Sequence, residues 1–294
     1  MLFISMNGFL LIDKPKGVTS ANCVYQLRKF LGIKKIGHCG TLDPLATGLL
    51  PVCIGEATKF SSFMSDLDKT YEVGISFGIE TDTGDIEGEI ISKGVNKFSE
   101  IDLKRVLKNL EGPQAQTPPM YSALKNKGKP LYWWARKGVF LYRNERNINI
   151  HKIVLLDFRN NLAKLKVFCS KGTYIRSLVE SIGRALLTKA TVISLRRLSV
   201  GDIKAEDMVL MPKEESSDIS SSILPSDFLL NHLPEAVLNE EDVKKVKNGQ
   251  SIYYNAQLEK KGLVRIYTNK SLFIGIGELH SSNKLSPRRL IAIN

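Results

Sequence analysis

A glycine-rich loop at residues 37–48 carries the residue types best suited to covalent chemistry. Within twelve residues it contains three glycines, Pro44 and one carboxylate, Asp43. Glycines permit backbone conformations that larger residues avoid, and a residue before proline is driven away from the helical region. A carboxylate fixed on such a loop suits a nucleophile or a general base. The alternative is an aspartate that only caps the loop, beside a structural His38.

A second segment, residues 120–147, combines positive charge with aromatic rings. It holds seven Lys and Arg residues against one acid, Glu145, together with three tyrosines, one phenylalanine and both tryptophans of the chain. Basic groups neutralise phosphates and aromatic faces stack on bases, so this mixture suits RNA. The alternative is a solvated helix whose rings pack inward.

Other motifs that could carry chemistry are incomplete. The glycines between residues 48 and 59 do not form a phosphate-binding loop. Cys39 and Cys53 lie near His38 in sequence, but no second pair of ligands completes a zinc site. The acidic stretch at residues 82–88 has the wrong alternation for a calcium loop. The sequence therefore predicts no metal site and no cofactor.

The chain as a whole has a globular composition with a surplus of positive charge. Its 294 residues are 43% hydrophobic and 24% charged, which excludes a disordered or collagen-like chain. No apolar run approaches the ~20 residues that a membrane helix needs. The net charge of +12 favours a polyanionic partner, nucleic acid first. Four cysteines without a C-x-x-C pair predict reduced thiols and a cytoplasmic location.

The elements that must position these residues mix strands and helices without regular β-α-β alternation. Strands are predicted at residues 8–12, 70–78, 148–158, 163–169 and 192–200. Helices are predicted to begin at the capping residues Ser20, Ser99 and Thr173. This pattern favours an α+β fold with a mixed, largely antiparallel sheet.

The composition changes after residue 211. Residues 212–231 include a run rich in Glu, Asp and Ser, which predicts a surface linker. Residues 232–294 are predicted to form a small β-rich unit, with a helix at 240–247 and a hairpin that turns at 268–271. We therefore expect two domains, residues 1–211 and 232–294. At the other end, Met1 and Met6 are both open as the start of translation.

Several long motifs then occur in one order along almost the whole chain. They are Leu11-Ile12-Asp13-Lys14-Pro15-Lys16-Gly17, the loop at residues 37–48, Gly55-Glu56-Ala57-Thr58-Lys59, Lys69-Thr70-Tyr71, Thr81-Asp82-Thr83-x-Asp85, the run from Thr117 to Lys125, the run from Lys171 to Ser177, and Leu195-Arg196-Arg197-Leu198. These motifs resemble those of the TruB family of tRNA pseudouridine-55 synthases, and the C-terminal unit resembles a PUA RNA-binding module. Leu198 departs from the pattern, because many relatives have Thr there.

The resemblance implies an isomerase that converts the uridine at position 55 of the tRNA T-loop into pseudouridine, with no cofactor, membrane or obligate protein partner. It implies that Asp43 is the catalytic nucleophile, that Arg176 is its ion-pair partner, and that Tyr71 stacks on the target uracil. Whether Asp43 attacks the sugar, attacks the base or removes a sugar proton stays open.

The resemblance also implies contacts with the RNA substrate. The residues concerned are His38, Tyr71, Tyr174, Leu195, Lys14, Lys59 and Asp85. His38 is expected to fill the space that the flipped base leaves, and residues 120–147 correspond to an RNA-gripping insertion. The alternatives are a catalytically silent tRNA-folding chaperone, against which the intact Asp43, Tyr71 and Arg176 speak, and a guide-RNA-dependent synthase, against which the lack of a lysine-rich tail speaks.

Overall fold

Two large β-sheets organise the described residues, which also form two two-stranded sheets, at residues 79–93 and 125–130. The structure is a computed structural model that describes residues 6–212, 219–255 and 261–292. The larger sheet is built from residues before 212, and the smaller one from residues after 234. Residues 1–5, which bear on the start of translation, and residues 213–218 of the predicted linker lie outside the described residues.

Among the described residues, helices occupy the four regions that the sequence predicts and two further short segments. Within the described residues the α-helices are α1 Ser20–Leu31, α2 Ser61–Ser65, α3 Glu100–Asn109, α4 Leu131–Ala135, α5 Ile175–Ala185 and α6 Glu240–Lys247. Short 3₁₀ turns occur at Gly55–Phe60, Ala205–Asp207, Ser220–Ser222 and Phe228–Leu230.

Two of the predicted helix caps are wrong by one residue. Thr19 caps α1 by accepting a hydrogen bond from the Asn22 N–H at 3.1 Å, which leaves the Ser20 hydroxyl free for another contact. Helix α5 begins after Tyr174, because the Thr173 hydroxyl donates to the Ser170 carbonyl instead. Ser99 caps α3 as predicted.

The predicted strands are also present, several of them longer than expected. In the first sheet region the strands are β1 Gly8–Lys14, β2 Ile36–His38, β3 Thr47–Ile54, β4 Lys69–Phe77, β5 Ile79–Thr81, β6 Ile90–Lys93, β7 Gly112–Gln116, β8 Lys125–Asn126, β9 Lys129–Pro130, β10 Arg146–Arg159, β11 Leu162–Cys169, β12 Ala190–Val200, β13 Ile203–Lys204 and β14 Val209–Leu210. After residue 234 they are β15 Glu235–Leu238, β16 Ile252–Tyr253, β17 Gly262–Thr268, β18 Phe273–Leu279 and β19 Lys284–Leu290.

The larger sheet has the order β14-β1-β3-β12-β4-β11-β10-β7, with β2 beside β3 and β13 beside β12. Its neighbours run antiparallel except at β1–β14 and β3–β12, which are parallel. The prediction of an α+β fold with a largely antiparallel sheet is therefore confirmed. At the β3–β12 pairing, Arg196 lies opposite Thr47, so β12 runs along the end of the glycine-rich loop.

One face of the larger sheet forms the main core. On β11 the buried residues alternate with exposed ones, and Leu165 and Val167 point inward. Helices α1, α3 and α5 cover this face, and Leu178 and Ile182 of α5 are buried in it. This packing fixes the N-terminus of α5 against the sheet.

The smaller sheet has the order β15-β17-β18-β19-β16, and α6 packs on it through Val243 and Val246. The predicted hairpin is the β17–β18 pair, and its strands are antiparallel. This unit is β-rich, as predicted.

A second apolar core joins the two sheet regions. It contains Phe9, Phe60 and Met64 from the first region and Phe273 and Ile276 from the second, and we call it the junction core. The rings of Phe60 and Phe273 lie 5.5 Å apart. The segment after residue 218 also pairs with β1, since Phe9 and Leu224 exchange two backbone hydrogen bonds. The boundaries at residues 211 and 232 stay a prediction.

Candidate active site

Asp43 lies on the loop between β2 and β3 and faces the first turn of α5. The Arg176 guanidinium donates from Nε to Asp43 Oδ2 at 2.9 Å. Arg176 is 4% exposed, whereas the Asp43 side chain is 34% exposed. The pair therefore has a buried cation and a carboxylate that a ligand can reach.

Arg176 is held by two further elements. Its Nη1 donates to the Thr83 carbonyl at 2.6 Å, and its Nη2 donates to the Tyr121 carbonyl at 2.7 Å. A guanidinium offers donors in a fixed planar fork, so contacts in three directions fix its orientation. Asp43 thus accepts its hydrogen bond from a guanidinium group whose orientation is fixed.

Two buried side chains fix the middle of the loop. The Ser20 hydroxyl accepts from the Leu42 N–H at 2.9 Å and donates to the Leu42 carbonyl at 3.0 Å. The fully buried Lys14 ammonium donates to the carbonyls of Val18 and Pro44, at 2.5 and 3.3 Å. Burial lowers the pKa of Lys14. Both residues flanking Asp43 are therefore held by buried hydrogen bonds.

Arg197 holds the two ends of the loop. Its Nε donates to the Leu49 carbonyl at 2.7 Å and its Nη2 to the Gly40 carbonyl at 3.2 Å. Gly48 has a φ of 96°, and a Cβ there would lie 2.4 Å from the Arg197 carbonyl oxygen. Only glycine fits this close approach of two backbones.

A cavity of about 310 Å³ opens beside Asp43. Tyr71, Tyr174 and Leu195 line it, together with three cations, Lys69, Arg176 and Arg197. An aromatic ring and an aliphatic side chain in one cavity suit a flat base. We call it the base cavity.

Burial sets the protonation of the groups around the base cavity. It raises the pKa of Tyr71 and of Tyr174, so both phenols are neutral at pH 7. It lowers the pKa of Lys69 to about 8, with the positive field of Arg197 as the second cause. The two tyrosines can therefore stack and hydrogen-bond, while Lys69 stays mostly charged at neutral pH.

A second cavity of about 550 Å³ shares Asp43 and Arg176 with the first, and we call it the outer cavity. His38 and Asp85 line it. Burial lowers the pKa of His38, and its Nδ1 has no hydrogen-bond partner within the part of the chain that the structure describes. A neutral imidazole with a free polar atom can contact a base or sugar.

Asp85 shapes the turn that holds Arg176. Its Oδ1 accepts from the Thr83 hydroxyl at 2.8 Å and from the Glu87 N–H at 3.1 Å. The turn presents the Thr83 carbonyl to Arg176. Asp85 is thus placed beside the catalytic pair, and its contact with substrate stays a prediction.

Lys59 and Lys14 line neither cavity. The Lys59 ammonium donates to the Leu290 carbonyl at 2.7 Å and pairs with Glu56 at 2.6 Å. Glu56 also accepts from the Ala292 N–H at 2.8 Å. Lys59 therefore fastens the end of β19 to the first sheet region, and substrate contacts by Lys59 and Lys14 stay predictions.

Residues 120–147 form one wall of the outer cavity through Tyr132 and Arg136. Part of their aromatic surface is covered, since Trp133 and Trp134 pack edge to face at 4.8 Å. Phe140 and Tyr142, in contrast, are 77% and 87% exposed. The rings of this segment thus divide between internal packing and solvent.

The sequence patterns gave no role to Ser122 and Arg197, although both lie in motifs of the chain. Ser122 is 5% exposed and lines both cavities. Arg197 is 1% exposed and lies two residues after Leu195 on β12. Because side chains alternate along a strand, this spacing places Arg197 on the same face as Leu195. The two-residue spacing could therefore have indicated from the sequence that Arg197 lies beside the site.

Within residues 6–212, 219–255 and 261–292, no three His, Cys, Asp or Glu side chains are grouped so that they could hold a metal ion. No helix among these residues is long and apolar enough to cross a membrane.

Two sequence profiles of known families match this chain. Residues 28–175 match the profile described as TruB family pseudouridylate synthase, N-terminal domain. Residues 234–291 match the profile described as pseudouridine synthase II TruB, C-terminal.

Full-length relatives and solved structures agree with the profiles. The chain is 42% identical to tRNA pseudouridine synthase B of Chromobacterium violaceum, over 98% of this chain and 95% of that protein. It is 40% identical to the enzyme of the same name from Actinobacillus succinogenes, over 98% and 95%. Among solved structures, a Cbf5-Nop10-Gar1 complex has a chain that superposes with a TM-score of 0.70 at 25% identity, covering 98% of this chain and 84% of that one. An H/ACA RNP bound to a substrate RNA containing 2′-deoxyuridine gives 0.71 at 23% identity, over 97% and 85%, which shows a shared fold.

Proposed function

This chain belongs to the TruB family of pseudouridylate synthases, and we propose that it isomerises the uridine at position 55 of the tRNA T-loop to pseudouridine. The observation that carries the proposal is the Asp43–Arg176 pair, which lies at the wall of a base-sized cavity lined by Tyr71 and Leu195. The relatives named tRNA pseudouridine synthase B support tRNA as the substrate.

Asp43 is the catalytic carboxylate in this proposal. It acts on the target nucleotide while Arg176 orients the carboxylate through its hydrogen bond. Tyr71 stacks on the uracil, and Leu195 packs near it, with Tyr174 beside the ring. The uracil leaves the sugar, turns within the cavity and returns through C5.

The target base reaches this cavity by flipping out of the T-loop. Removing a stacked base costs a few kcal/mol, so the enzyme must stabilise the opened loop. His38 lines the outer cavity, which shares Asp43 with the base cavity, and its neutral ring fills or braces the vacated space. Asp85 supports the same wall of the outer cavity.

Contacts away from the reacting bond hold the RNA. Residues 120–147 grip the T-arm with their charges and the exposed rings of Phe140 and Tyr142. The C-terminal unit supplies a second RNA-binding surface, like the PUA module that it resembles. Lys14 and Lys59 act on the RNA through the elements they fasten.

The reaction rearranges one nucleotide without adding or oxidising anything, so the proposal needs no metal, cofactor or obligate protein partner. We place the reaction in the cytoplasm, where tRNA is. The relatives support a stand-alone enzyme over a catalytically silent chaperone or a guide-RNA-dependent synthase.

The test uses purified protein and an unmodified tRNA transcript. Pseudouridine is labelled with a carbodiimide and located by mass spectrometry of nuclease fragments. We expect one labelled residue, at position 55, and none in a transcript with cytidine there. No label with the unchanged protein would overturn the proposal.

Asp43→Asn tests the assigned carboxylate in the same assay. We expect turnover to fall by about 10⁴-fold or more, the range seen when a covalent catalyst is removed. Affinity for tRNA should stay within a few-fold, because the Asp43 charge only repels phosphates. Asp157→Asn, on the exposed side of β10, is the matched control and should keep full activity. Substantial turnover by Asp43→Asn would refute the role of Asp43.

A further inference from the structure

Arg197 is a buried cation without a carboxylate partner. Its side chain is 1% exposed, Nε donates to the Leu49 carbonyl, and Nη2 donates to the Gly40 carbonyl. None of the ion pairs among the described residues includes it, whereas Asp43 is paired with Arg176. A buried charge that lacks an opposite charge is costly, so folds seldom keep one without a compensating use.

The preceding residue shows the ordinary alternative. Arg196 makes a bidentate contact with Asp13, at 3.0 and 2.7 Å, and 37% of its side chain is exposed. It lines neither cavity. The two adjacent arginines on this strand therefore differ. Arg197 is buried, has no carboxylate partner and lines the base cavity, whereas Arg196 has none of these properties.

The field of Arg197 reaches the groups around that cavity. After burial, which is the larger cause in each case, Arg197 is the second cause acting on the pKa of Tyr71, Lys69 and His38, and it lowers all three. Of the charged residues that line the base cavity, Lys69, Arg176 and Arg197 are cations and Asp43 is the only acid. The cavity is thus electropositive before any substrate enters.

We propose that Arg197 stabilises the negative charge that the uracil ring acquires while it is detached from, or activated on, the ribose. This inference rests on the proposed function. Arg197 is then a charge-stabilising residue of the reaction, in addition to its role in holding the ends of the loop at residues 37–48.

Each route left open for Asp43 places that charge on the ring. If a carboxylate oxygen bonds to C1′, the electron pair of the C1′–N1 bond leaves with N1. If the carboxylate takes the C2′ proton, the C2′–H pair forms a C1′=C2′ double bond and the C1′–N1 pair again leaves with uracil. If the carboxylate oxygen bonds to C6, the C5–C6 pair moves onto C5 and O4. In every case the ring carries the charge until C5 bonds to C1′. The carboxylate then leaves C1′ or C6 with its electron pair, or returns the proton to C2′. The C5 proton passes to solvent, and N1 takes a proton in exchange.

A fixed cation helps such a ring more than it helps the substrate. Bound uridine is neutral, so a nearby guanidinium adds little to its binding, while the anionic ring gains directly. The guanidinium is already held by two carbonyls, so it need not reorganise during the reaction. Its loss should therefore lower kcat and leave KM nearly unchanged.

Two substitutions separate charge from loop holding. Arg197→Lys keeps the charge but loses the planar fork, whereas Arg197→Gln keeps N–H donors and loses the charge. We expect Arg197→Gln to lower single-turnover kcat by about 10²–10³-fold, as removal of one preorganised donor does. Arg197→Lys should retain at least about tenfold more activity than Arg197→Gln. Arg196→Lys and Arg196→Gln are the matched controls, and we expect these two variants to have similar activity.

The opposite order, with Arg197→Gln at least as active as Arg197→Lys, would overturn the inference and leave loop holding as the whole role. Thermal denaturation checks that each variant is folded. The unchanged protein is assayed first: if it makes no pseudouridine, the proposed function fails, which is a separate result from a reversed order among active variants.

A second measurement covers the case in which these variants do not fold. RNA with 5-fluorouridine at the target position is bound to the inactive Asp43→Asn protein, and ¹⁹F NMR follows ionisation of the ring with pH. An electropositive cavity lowers the pKa of the bound ring below that of free RNA, whereas a merely apolar cavity raises it. A raised pKa would refute the inference. A lowered pKa that Arg197→Gln leaves unchanged, where that double variant folds, would assign the effect to Arg176 instead.

Discussion

The loop at residues 37–48 and the segment at residues 120–147 face the same outer cavity but are built in opposite ways. The loop is tied to buried side chains, with Ser20 and Lys14 holding the residues on either side of Asp43. The segment exposes Lys125 and its neighbouring lysines to solvent, where no rigid contact is needed. Under the proposed function, the difference separates the buried groups that position Asp43 from the exposed lysines that bind RNA, although Tyr121 of the segment also holds Arg176.

Arg176→Lys should have the largest effect on the loop side of this comparison. Lysine keeps the charge but cannot serve Asp43, Thr83 and Tyr121 together in one planar fork. We expect kcat to fall by about 10³-fold while tRNA affinity changes by less than about threefold. Arg105→Lys, on the exposed face of α3, is the control. If only tRNA affinity fell and kcat stayed unchanged, Arg176 would belong with the RNA-binding residues of the segment, and the contrast between loop and segment would be wrong.

Lys69 should make turnover sensitive to pH near the top of the physiological range. Its pKa of about 8 means that it is charged below this pH and neutral above it. We expect kcat to fall about tenfold as pH rises through about 8, less than for a donor that bonds the ring directly. Lys69→Met should be slow at every pH and lack this step, whereas Lys166→Met, on the exposed face of β11, should keep it. A step of equal size in Lys69→Met would assign it to another group.

Ser20→Ala should have a smaller effect, through the position of the loop. It leaves the buried Leu42 N–H without its acceptor, a loss of about 1–3 kcal/mol. We expect Tm to fall by about 3–8 °C and kcat by about tenfold or less, with tRNA affinity unchanged. The measurements are calorimetry and single-turnover kinetics, with Ser181→Ala on α5 as control. An unchanged kcat at full occupancy would show that the loop needs no such anchor.

Charge removal from the segment should leave turnover intact and change affinity alone. For Lys125→Ala combined with Lys127→Ala, we expect the slope of log Kd against log salt to flatten by somewhat less than about two units. Turnover at saturating tRNA should stay within about twofold, because phosphate contacts position RNA without touching the reacting bond. Lys104→Ala combined with Lys108→Ala, on α3, removes the same charge elsewhere. Equal slopes for both pairs would remove these lysines from the RNA interface.

Much of this comparison was accessible from the sequence, because it depends on local patterns. Apolar spacing predicted α1, α3 and α5, and the glycines around Asp43 predicted the loop. The cap of α1 was missed because Thr19 and Ser20 are both good capping residues. They are distinguished only by a tertiary contact, in which the Ser20 hydroxyl accepts a hydrogen bond from the Leu42 N–H and Thr19 is left to cap the helix.

What the sequence could not predict depends on residues far apart in the chain. The Ala292 N–H bonds to Glu56, 236 residues away, and no local pattern encodes such a contact. The burial of Arg197 has the same origin, since a charged residue within a strand is ordinarily expected on the solvent face. Asp43 could be recognised from its own loop. The base cavity could not be predicted, because its lining residues come from distant parts of the chain and meet only in the folded protein.

The junction core has a consequence for how the chain is made. Phe9 and Leu11 on β1 leave the ribosome well before Leu229, Phe273 and Ile276, which share this core with them. At the usual rates of synthesis, about 5–20 residues per second, this apolar face waits some tens of seconds or less for its cover. Packing of the junction core is therefore a late event in folding, because it cannot be completed before Ile276 has been synthesised.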